Sequence, residues 1–72
     1  MGLLSNISGK KAIKIFEKFG YGVGHQTGSH VILWHESKST LSVPNHRELA
    51  HELLRSLIRQ TRITVEEFLE YK

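Results

Sequence analysis

Apolar residues near the start of the chain recur at steps of three and four, which is the period of an amphipathic helix. The repeating residues are Ala12, Ile13, Phe16 and Phe19. Lysines occupy the rest of this surface, and Gly20 follows the last periodic residue, where glycine commonly ends a helix in the left-handed conformation. The pattern predicts a helix that begins at Ser8 and ends before Gly20. Residues 1–7 carry no period, and we expect them to form a loose end.

The middle of the chain, from Tyr21 to Pro44, changes to short apolar or β-branched runs separated by Gly, Ser and Lys. Such runs are typical of strands joined by tight turns. We place three strands near residues 21–26, 30–36 and 40–43. The connections at residues 27–29 and 37–39 are short enough to make neighbouring strands antiparallel. The pattern therefore predicts a three-stranded antiparallel sheet.

The last third of the chain returns to helical spacing. Its apolar residues fall within roughly half of a helical wheel, which predicts a second long helix with one face against the sheet. These residues are Leu49, Leu53, Leu54, Leu57 and Ile58. Thr64 and Glu67 have the spacing of a capping box and predict a short final helix. We expect one α+β domain over residues 1–72, ordered α-β-β-β-α, with the helices on one face of the sheet and the other face open.

Charge, cysteine content and the length of apolar runs limit the classes of protein to which the chain can belong. Ten Lys and Arg against seven Asp and Glu give a formal net charge of +3, which favours an anionic partner. The chain has no cysteine, which excludes a disulfide-stapled secreted fold, a zinc site of Cys ligands and a thiol nucleophile. The longest apolar run, residues 31–34, is far below the ~20 residues that cross a bilayer. We expect a cytoplasmic protein with no membrane contact.

Five histidines in so short a chain raise the question of a metal site. His30 and His35 are five residues apart on one predicted strand, so the pleat sends them to opposite faces. His46 and His51, if helical, lie about 140° apart around the axis. Metal ligands must converge from one face, so we expect no metal site. The chain is also too short for a deep pocket, and we expect no cofactor.

The segment Gly28-Ser29-His30 places an imidazole at the mouth of the first predicted hairpin. Histidine titrates near neutral pH, and glycine permits the backbone of a ligand to approach closely. Metal-free cleavage of RNA requires removal of the 2′-hydroxyl proton and protonation of the departing 5′-oxygen, which an imidazole can perform. His30 is therefore a candidate catalytic residue, with Gly28 and Ser29 as RNA contacts. The alternative is a polar residue on a half-exposed strand.

Phosphate contacts are predicted from the cations. Lys10 and Lys11 lie on the first helix, and the arginines of the second lie opposite its leucines as one exposed ridge. These arginines are Arg55, Arg59 and Arg62. The alternative is a solvated face, because Glu48 and Glu52 are close enough in sequence to pair with Arg55 and Arg59.

Alternation along the second strand divides its residues between two faces. His30, Ile32 and Trp34 lie on one face, and Val31, Leu33 and His35 lie on the other. Both sets are apolar enough to be the buried one, so the pattern leaves the open face undecided. If the second set is buried, His30 and Trp34 share the open face. Trp34 and Tyr21 are candidates for stacking on RNA bases, although packing in the core is the commoner role.

Four segments in this order resemble the HicA toxins. They are the Gly-Ser-His hairpin, residues 41–46 (LSVPNH), residues 54–60 (LRSLIRQ) and residues 63–69 (ITVEEFL), and with the first helix the resemblance runs from about Ser8 to Leu69. It implies a fold like the double-stranded-RNA-binding domain, cleavage of mRNA without a cofactor, and a HicB-type antitoxin as partner. The family's catalytic histidine corresponds to His30. Pro44 and His46 match its recurring Pro-x-His, for which we expect a structural or RNA-positioning role. The resemblance gives no reason to expect DNA binding.

Two departures from the family pattern bear on structure. Glu52-Leu53 replaces the Gly-Thr pair that usually leads into the second long helix, so we expect this helix to begin earlier, with Asn45 as its cap. Arg62 replaces a glycine, an uncommon choice if the position needs a positive φ.

Two other functions remain open at this point. The same sheet face and basic ridge could serve a non-catalytic RNA-binding module that holds a duplex by its shape and phosphates. An interaction domain whose only partner is protein is a third possibility.

Overall fold

A computed structural model describes residues 4–72. Its elements follow the order α1 (Gly9–Glu17), β1 (Gly22–Thr27), β2 (His30–Trp34), β3 (Leu41–Pro44), α2 (His51–Thr61) and α3 (Val65–Leu69). The predicted α+β class and the α-β-β-β-α order are confirmed. No helix within the described range is long and apolar enough to span a membrane.

Helix α1 begins and ends where its local sequence predicts. The Ser8 hydroxyl accepts a hydrogen bond from the Lys11 backbone N–H and caps the first turn. After the last turn, Gly20 has a φ of 97°, which other residues rarely adopt. Its lack of a side chain is also required by packing, because a Cβ there would lie 2.9 Å from Nε2 of His35.

The three strands form one antiparallel sheet in the order β1-β2-β3. Thr27 pairs with His30, so the first hairpin has a two-residue loop, and Gly28 at its first position has a φ of 59°. A β-bulge between Val23 and His25 shifts the register of β1 against β2. The extra residue, Gly24, breaks the alternation of the strand, so Val23 and His25 lie on opposite faces of the sheet.

The buried face of the sheet is now defined. Val31 and Leu33 are 8% and 0% exposed, and their neighbours in β3, Leu41 and Val43, are fully buried. Helices α1 and α2 pack over β3 on this side. The opposite face is open, and Trp34 is 59% exposed there. His30 and Trp34 therefore share the open face, which settles the choice that the sequence pattern left undecided.

The start of the described chain is packed, which corrects the expectation of a loose end over residues 1–7. Leu4 and Ile7 are 4% and 0% exposed and belong to the core cluster. The Ile7 carbonyl accepts a hydrogen bond from the Leu49 N–H at 2.8 Å. These two apolar side chains fill the core without a periodic pattern because they precede α1 in an irregular segment. Residues 1–3 of that prediction lie outside the described range.

Helix α2 begins later than predicted. It starts at His51, and its N-cap residue is Ala50, which provides no side-chain hydrogen bond. The expectation of an earlier start with Asn45 as cap is wrong because the backbone of residues 45–49 bonds elsewhere. Asn45 N–H donates to the Ser29 carbonyl, and Leu49 N–H donates to Ile7. Glu48 consequently lies before the helix, and its carboxylate accepts from the Asn6 N–H at 3.0 Å.

The end of α2 also corrects the predicted basic ridge. Arg62 is the C-cap residue, with a φ of 65° in the left-handed region, so it does not continue the helical face of Arg55 and Arg59. The Lys38 ammonium group donates to the Thr61 carbonyl at 2.7 Å and satisfies part of this helix end. Helix α3 then begins with the predicted capping box of Thr64 and Glu67.

Candidate functional site

Three segments meet at one end of the molecule: the β1–β2 hairpin, the connection from β3 to α2, and the start of α1. The Asn45 N–H donates to the Ser29 carbonyl at 2.7 Å and joins the first two. The Gly9 N–H donates to the His46 carbonyl at 2.9 Å and joins the last two. A Cβ on Gly9 would collide with the carbonyl oxygen of Pro44, so glycine is needed for this close approach.

His30 is the first residue of β2, immediately after the hairpin loop. Its Cα partners are Thr27 in β1 and Pro44 in β3. It therefore lies at the end of the central strand where the three segments meet. The side chain is exposed on the open face of the sheet. Among residues 4–72, none forms a hydrogen bond with its imidazole. Both ring nitrogens are therefore available to a ligand.

A cavity of about 270 Å³ lies where the start of α1 meets the connection from β3 to α2. It is lined by Ser8, Lys10, Asn45, His46 and Arg47. Two of these residues carry permanent positive charge, and Lys10, His46 and Arg47 are exposed to solvent. Asn45 connects the cavity to the hairpin through its bond to Ser29. The two cations give this cavity a positive potential, which favours an anionic group.

Two of the remaining histidines have structural partners. Nδ1 of His35 accepts from the backbone N–H groups of Ser37 and Lys38 at 3.0 and 3.1 Å, and its Nε2 lies 3.1 Å from the Phe19 carbonyl. Because Nδ1 accepts, the ring carries its proton on Nε2 and donates it to Phe19. Nε2 of His51 lies 3.1 Å from the Ser5 hydroxyl. These two rings fix the loops around them.

His25 was not identified from the sequence and lies on the open face because of the β-bulge. It pairs with Ile32, which lies two residues from both His30 and Trp34, so His25 is diagonally across from each of them. Strict alternation would have placed it on the same face as Val23. An inserted residue leaves no mark on the hydrophobic pattern beyond the presence of Gly24, so the sequence carried only a weak signal for this position.

The predicted RNA contacts divide into two groups. Gly28 and Ser29 adjoin His30 in the hairpin, and Lys10 lies at the start of α1, which backbone bonds through His46 and Asn45 join to that hairpin. Arg55 and Arg59 are exposed on α2, whose buried face packs on the side of the sheet opposite His30. Lys11 lines a separate groove on α1. The other residues of that groove are Lys14, Ile15, Lys18 and Tyr71.

The two candidate stacking residues have different environments. Tyr21 is 4% exposed, packs edge-on against Phe16, and donates its hydroxyl to the Ser39 carbonyl at 2.7 Å. Burial raises the pKa of this phenol above its ordinary value of 10.0. Tyr21 is thus a core residue and cannot stack on a base. Trp34 remains accessible on the open face.

The histidines do not form a metal-ligand cluster. Across residues 4–72 no three His, Asp or Glu side chains are close enough together to hold an ion.

Comparison of the sequence with models of known protein families gave a match. Residues 9–63 match the family model described as the HicA toxin of bacterial toxin–antitoxin systems, and this range includes all three strands, α1 and α2. No curated protein and no solved structure gave a significant match. A family match over most of the chain, together with the α-β-β-β-α order, decides membership. The chain belongs to the HicA toxin family of bacterial toxin–antitoxin systems.

Proposed function

We propose that this HicA toxin is an endoribonuclease that cleaves mRNA without a metal ion, with His30 as its catalytic residue. The observation that carries the proposal is the position of His30. It is an exposed imidazole without a protein partner in residues 4–72, at the mouth of a glycine hairpin. A backbone hydrogen bond joins this hairpin to Asn45, which lines a cationic cavity. A toxin that acts on mRNA works in the cytoplasm.

The proposed reaction transfers the phosphodiester from the 5′-oxygen to the adjacent 2′-oxygen. A base removes the 2′-hydroxyl proton, O2′ bonds to phosphorus, the P–O5′ bond breaks, and the departing 5′-oxygen takes up a proton. The products are a 2′,3′-cyclic phosphate and a 5′-hydroxyl. We assign to the Lys10 ammonium group, which lines the cationic cavity, the stabilisation of the negative charge of the phosphorane. His30 supplies one of the two proton transfers.

RNA reaches His30 over the open face of the sheet and the adjoining hairpin. Gly28 has no side chain and allows the RNA backbone to approach the loop, where Ser29 offers a hydroxyl. Trp34 lies on the same face of β2 as His30, four residues further along the strand, and provides an aromatic surface for a base. Lys11, Arg55 and Arg59 lie outside this end, and we assign them longer-range contacts with phosphates.

A toxin of this family has an antitoxin, and we propose a HicB-type protein that covers the His30 end. The exposed ring, the hairpin and the cavity are close enough to be covered together by one partner. Coverage would block RNA without changing the fold of the toxin.

Induced expression tests the proposal. Wild type is expected to arrest growth and to cause loss of full-length mRNA, whereas His30→Ala is expected to do neither. Coexpression of a HicB-type antitoxin is expected to restore growth. Equal toxicity and equal RNA loss for wild type and His30→Ala would contradict the assignment.

A second candidate function is RNA binding without cleavage. The observation that favours it is a set of exposed cations that do not line the cavity of His46, namely Lys11, Lys14, Lys18, Arg55 and Arg59. Binding of RNA with a steep salt dependence but no product under any condition would support this alternative.

A further inference from the structure

We propose that His46 is the second catalytic residue and that the cavity it lines holds the scissile phosphate. This inference rests on the proposed ribonuclease function and assigns the proton transfer that His30 leaves open. Cleavage requires one group to accept the 2′-hydroxyl proton and another to deliver a proton to the departing oxygen. A single imidazole at the edge of β2 is poorly placed to do both in one step.

The hydrogen bonds of the five imidazole rings narrow the choice of a second catalytic histidine. His35 and His51 are engaged by the protein through the bonds described above. The rings of His25, His30 and His46 form no hydrogen bond with any residue between 4 and 72. The partner of His30 in proton transfer must therefore come from His25 or His46, if it is an imidazole.

Of the three unpaired rings in residues 4–72, that of His46 lines a cavity whose chemistry suits a phosphodiester. The cavity of about 270 Å³ also presents Lys10 from α1 and Arg47 from the same connection, with Ser8 and Asn45 as neutral donors. This set matches a phosphodiester, whose charge needs cations and whose oxygens need donors. His25, in contrast, lies on the open face of β1, opposite Ile32, and is not among the residues that line this cavity.

The distance from His30 is short. Pro44 is the cross-strand partner of His30, and Cα atoms in such pairs lie about 4.5–5.5 Å apart. His46 follows two residues later, which adds at most about 7 Å. The two histidine Cα atoms are thus within about 12 Å of each other. The proposal requires both side chains to extend toward one phosphodiester bound between them.

The backbone of His46 is held in place. Its carbonyl accepts from Gly9 at the start of α1, and its neighbour Asn45 donates to Ser29 in the hairpin that carries His30. Both histidines are therefore attached to one hydrogen-bonded frame, which fixes their separation before RNA binds. Such preorganisation is what acid–base catalysis by two groups requires.

In the proposed reaction the two imidazoles divide the proton transfers. One neutral ring accepts the proton of the 2′-hydroxyl as O2′ bonds to phosphorus. The other ring, protonated, gives its proton to O5′ as the P–O5′ bond breaks. Lys10 and Arg47 face His46 from α1 and from the connection, and the nearby Glu48 carboxylate is turned toward the Asn6 N–H. Proton exchange with water then returns each imidazole to its starting protonation state.

The test is the dependence of single-turnover RNA cleavage on pH, measured in EDTA for wild type, His46→Gln, His25→Gln and His51→Gln. Wild type is expected to give a bell-shaped profile. His46→Gln is expected to lose one limb of that profile and about 10²- to 10⁴-fold in rate. Its affinity for RNA with a 2′-deoxy substitution at the cleavage site is expected to change little. His51→Gln, whose ring contacts Ser5, is the matched control and keeps both limbs.

The outcomes separate this inference from the function on which it rests. If wild type does not cleave RNA, the proposed function fails. If wild type cleaves but His46→Gln keeps both limbs, the assignment of His46 is overturned. Loss of a limb in His25→Gln instead of His46→Gln would also overturn it. Thermal melting of each variant checks that the fold is retained. A His46→Gln protein that melts at the wild-type temperature, binds RNA and cleaves it slowly supports the proposal.

Discussion

Asn45 and Ser29 are joined directly: the backbone N–H of Asn45 donates to the Ser29 carbonyl at 2.7 Å. Ser29 immediately precedes His30, and Asn45 immediately precedes His46. One backbone bond therefore connects the two segments that carry the proposed catalytic groups. Helix α1 supports the same connection through Gly9, whose N–H donates to His46.

Gly9 is expected to be critical for this arrangement. Gly9→Ala places a Cβ against the Pro44 carbonyl and forces α1 away from the connection. We expect the free energy of unfolding to fall by about 1–3 kcal/mol and RNA cleavage to fall by more than the loss of folded protein explains. Chemical denaturation and cleavage assays on the same preparation measure the two effects. Gly22→Ala is the control, because its Cβ meets nothing within 4 Å and should change stability little.

Arg62 is expected to be replaceable by glycine with a gain in stability. Its φ of 65° is costly for a residue with a side chain and nearly free for glycine. Arg62→Gly should raise the free energy of unfolding by about 1 kcal/mol and the melting temperature by about 4–8 °C. Arg62→Ala keeps the strained conformation and should give no such gain. Equal melting temperatures for the two variants would show that backbone strain is not the cause.

Tyr21 is expected to limit stability at alkaline pH. Burial raises the pKa of its phenol above 10.0 in the folded chain, so the neutral form is favoured there. This contribution is complete below the unfolded pKa and is lost as the pH rises through the folded pKa. Tyr21→Phe should cost about 1 kcal/mol at pH 7, because the bond to Ser39 is lost. It should also show a shallower loss of stability above pH 10.

The control for that experiment is Tyr71→Phe. Tyr71 is 47% exposed, and substitution of its phenol should leave the alkaline slope unchanged. Unfolding by denaturant at pH 7, 9, 10 and 11 gives the slopes. An alkaline slope in Tyr21→Phe as steep as in wild type would contradict the attribution.

Trp34 is expected to contribute to RNA binding and not to folding. The side chain is 59% exposed, so Trp34→Ala should change stability by less than about 1 kcal/mol. Loss of one stacked base costs about 1–3 kcal/mol, which is about a 5- to 150-fold weaker affinity for uncleavable RNA. Val23→Ala removes a similarly exposed side chain, 53%, from the opposite face and is the matched control. An equal loss of affinity in the two variants would refute the stacking role.

The fold could be predicted from sequence wherever a signal is local. Ser8, Gly20 and Thr64 each act within one turn of their own helix, and their predicted roles are confirmed. The start of α2 could not be predicted, because the bonds that hold the connection before it come from Ser29, Ile7 and Gly9, which are distant in sequence. The burial of Leu4 and Ile7 could not be predicted either, because it depends on contacts with residues that are distant in sequence.

The candidate site shows the same limit. His30 stood out because a Gly-Ser-His hairpin is a local feature, and its predicted role stays a prediction. The choice of open face depended on which side of β2 the helices cover, and both sides were apolar enough in sequence. The cavity formed by Lys10, His46 and Arg47 depends on α1 lying against the connection after β3. The positions 10 and 46 are too far apart in the chain for a spacing rule to connect them.

The central claim is that His30 cleaves RNA without a metal ion. Its most direct test is incubation of purified protein with a defined mRNA in EDTA, followed by identification of the new ends. Wild type and His51→Gln should produce fragments with 2′,3′-cyclic phosphate and 5′-hydroxyl ends, and His30→Gln should produce none while it still binds uncleavable RNA. Fragments with the same ends and the same rate from His30→Gln would contradict the claim.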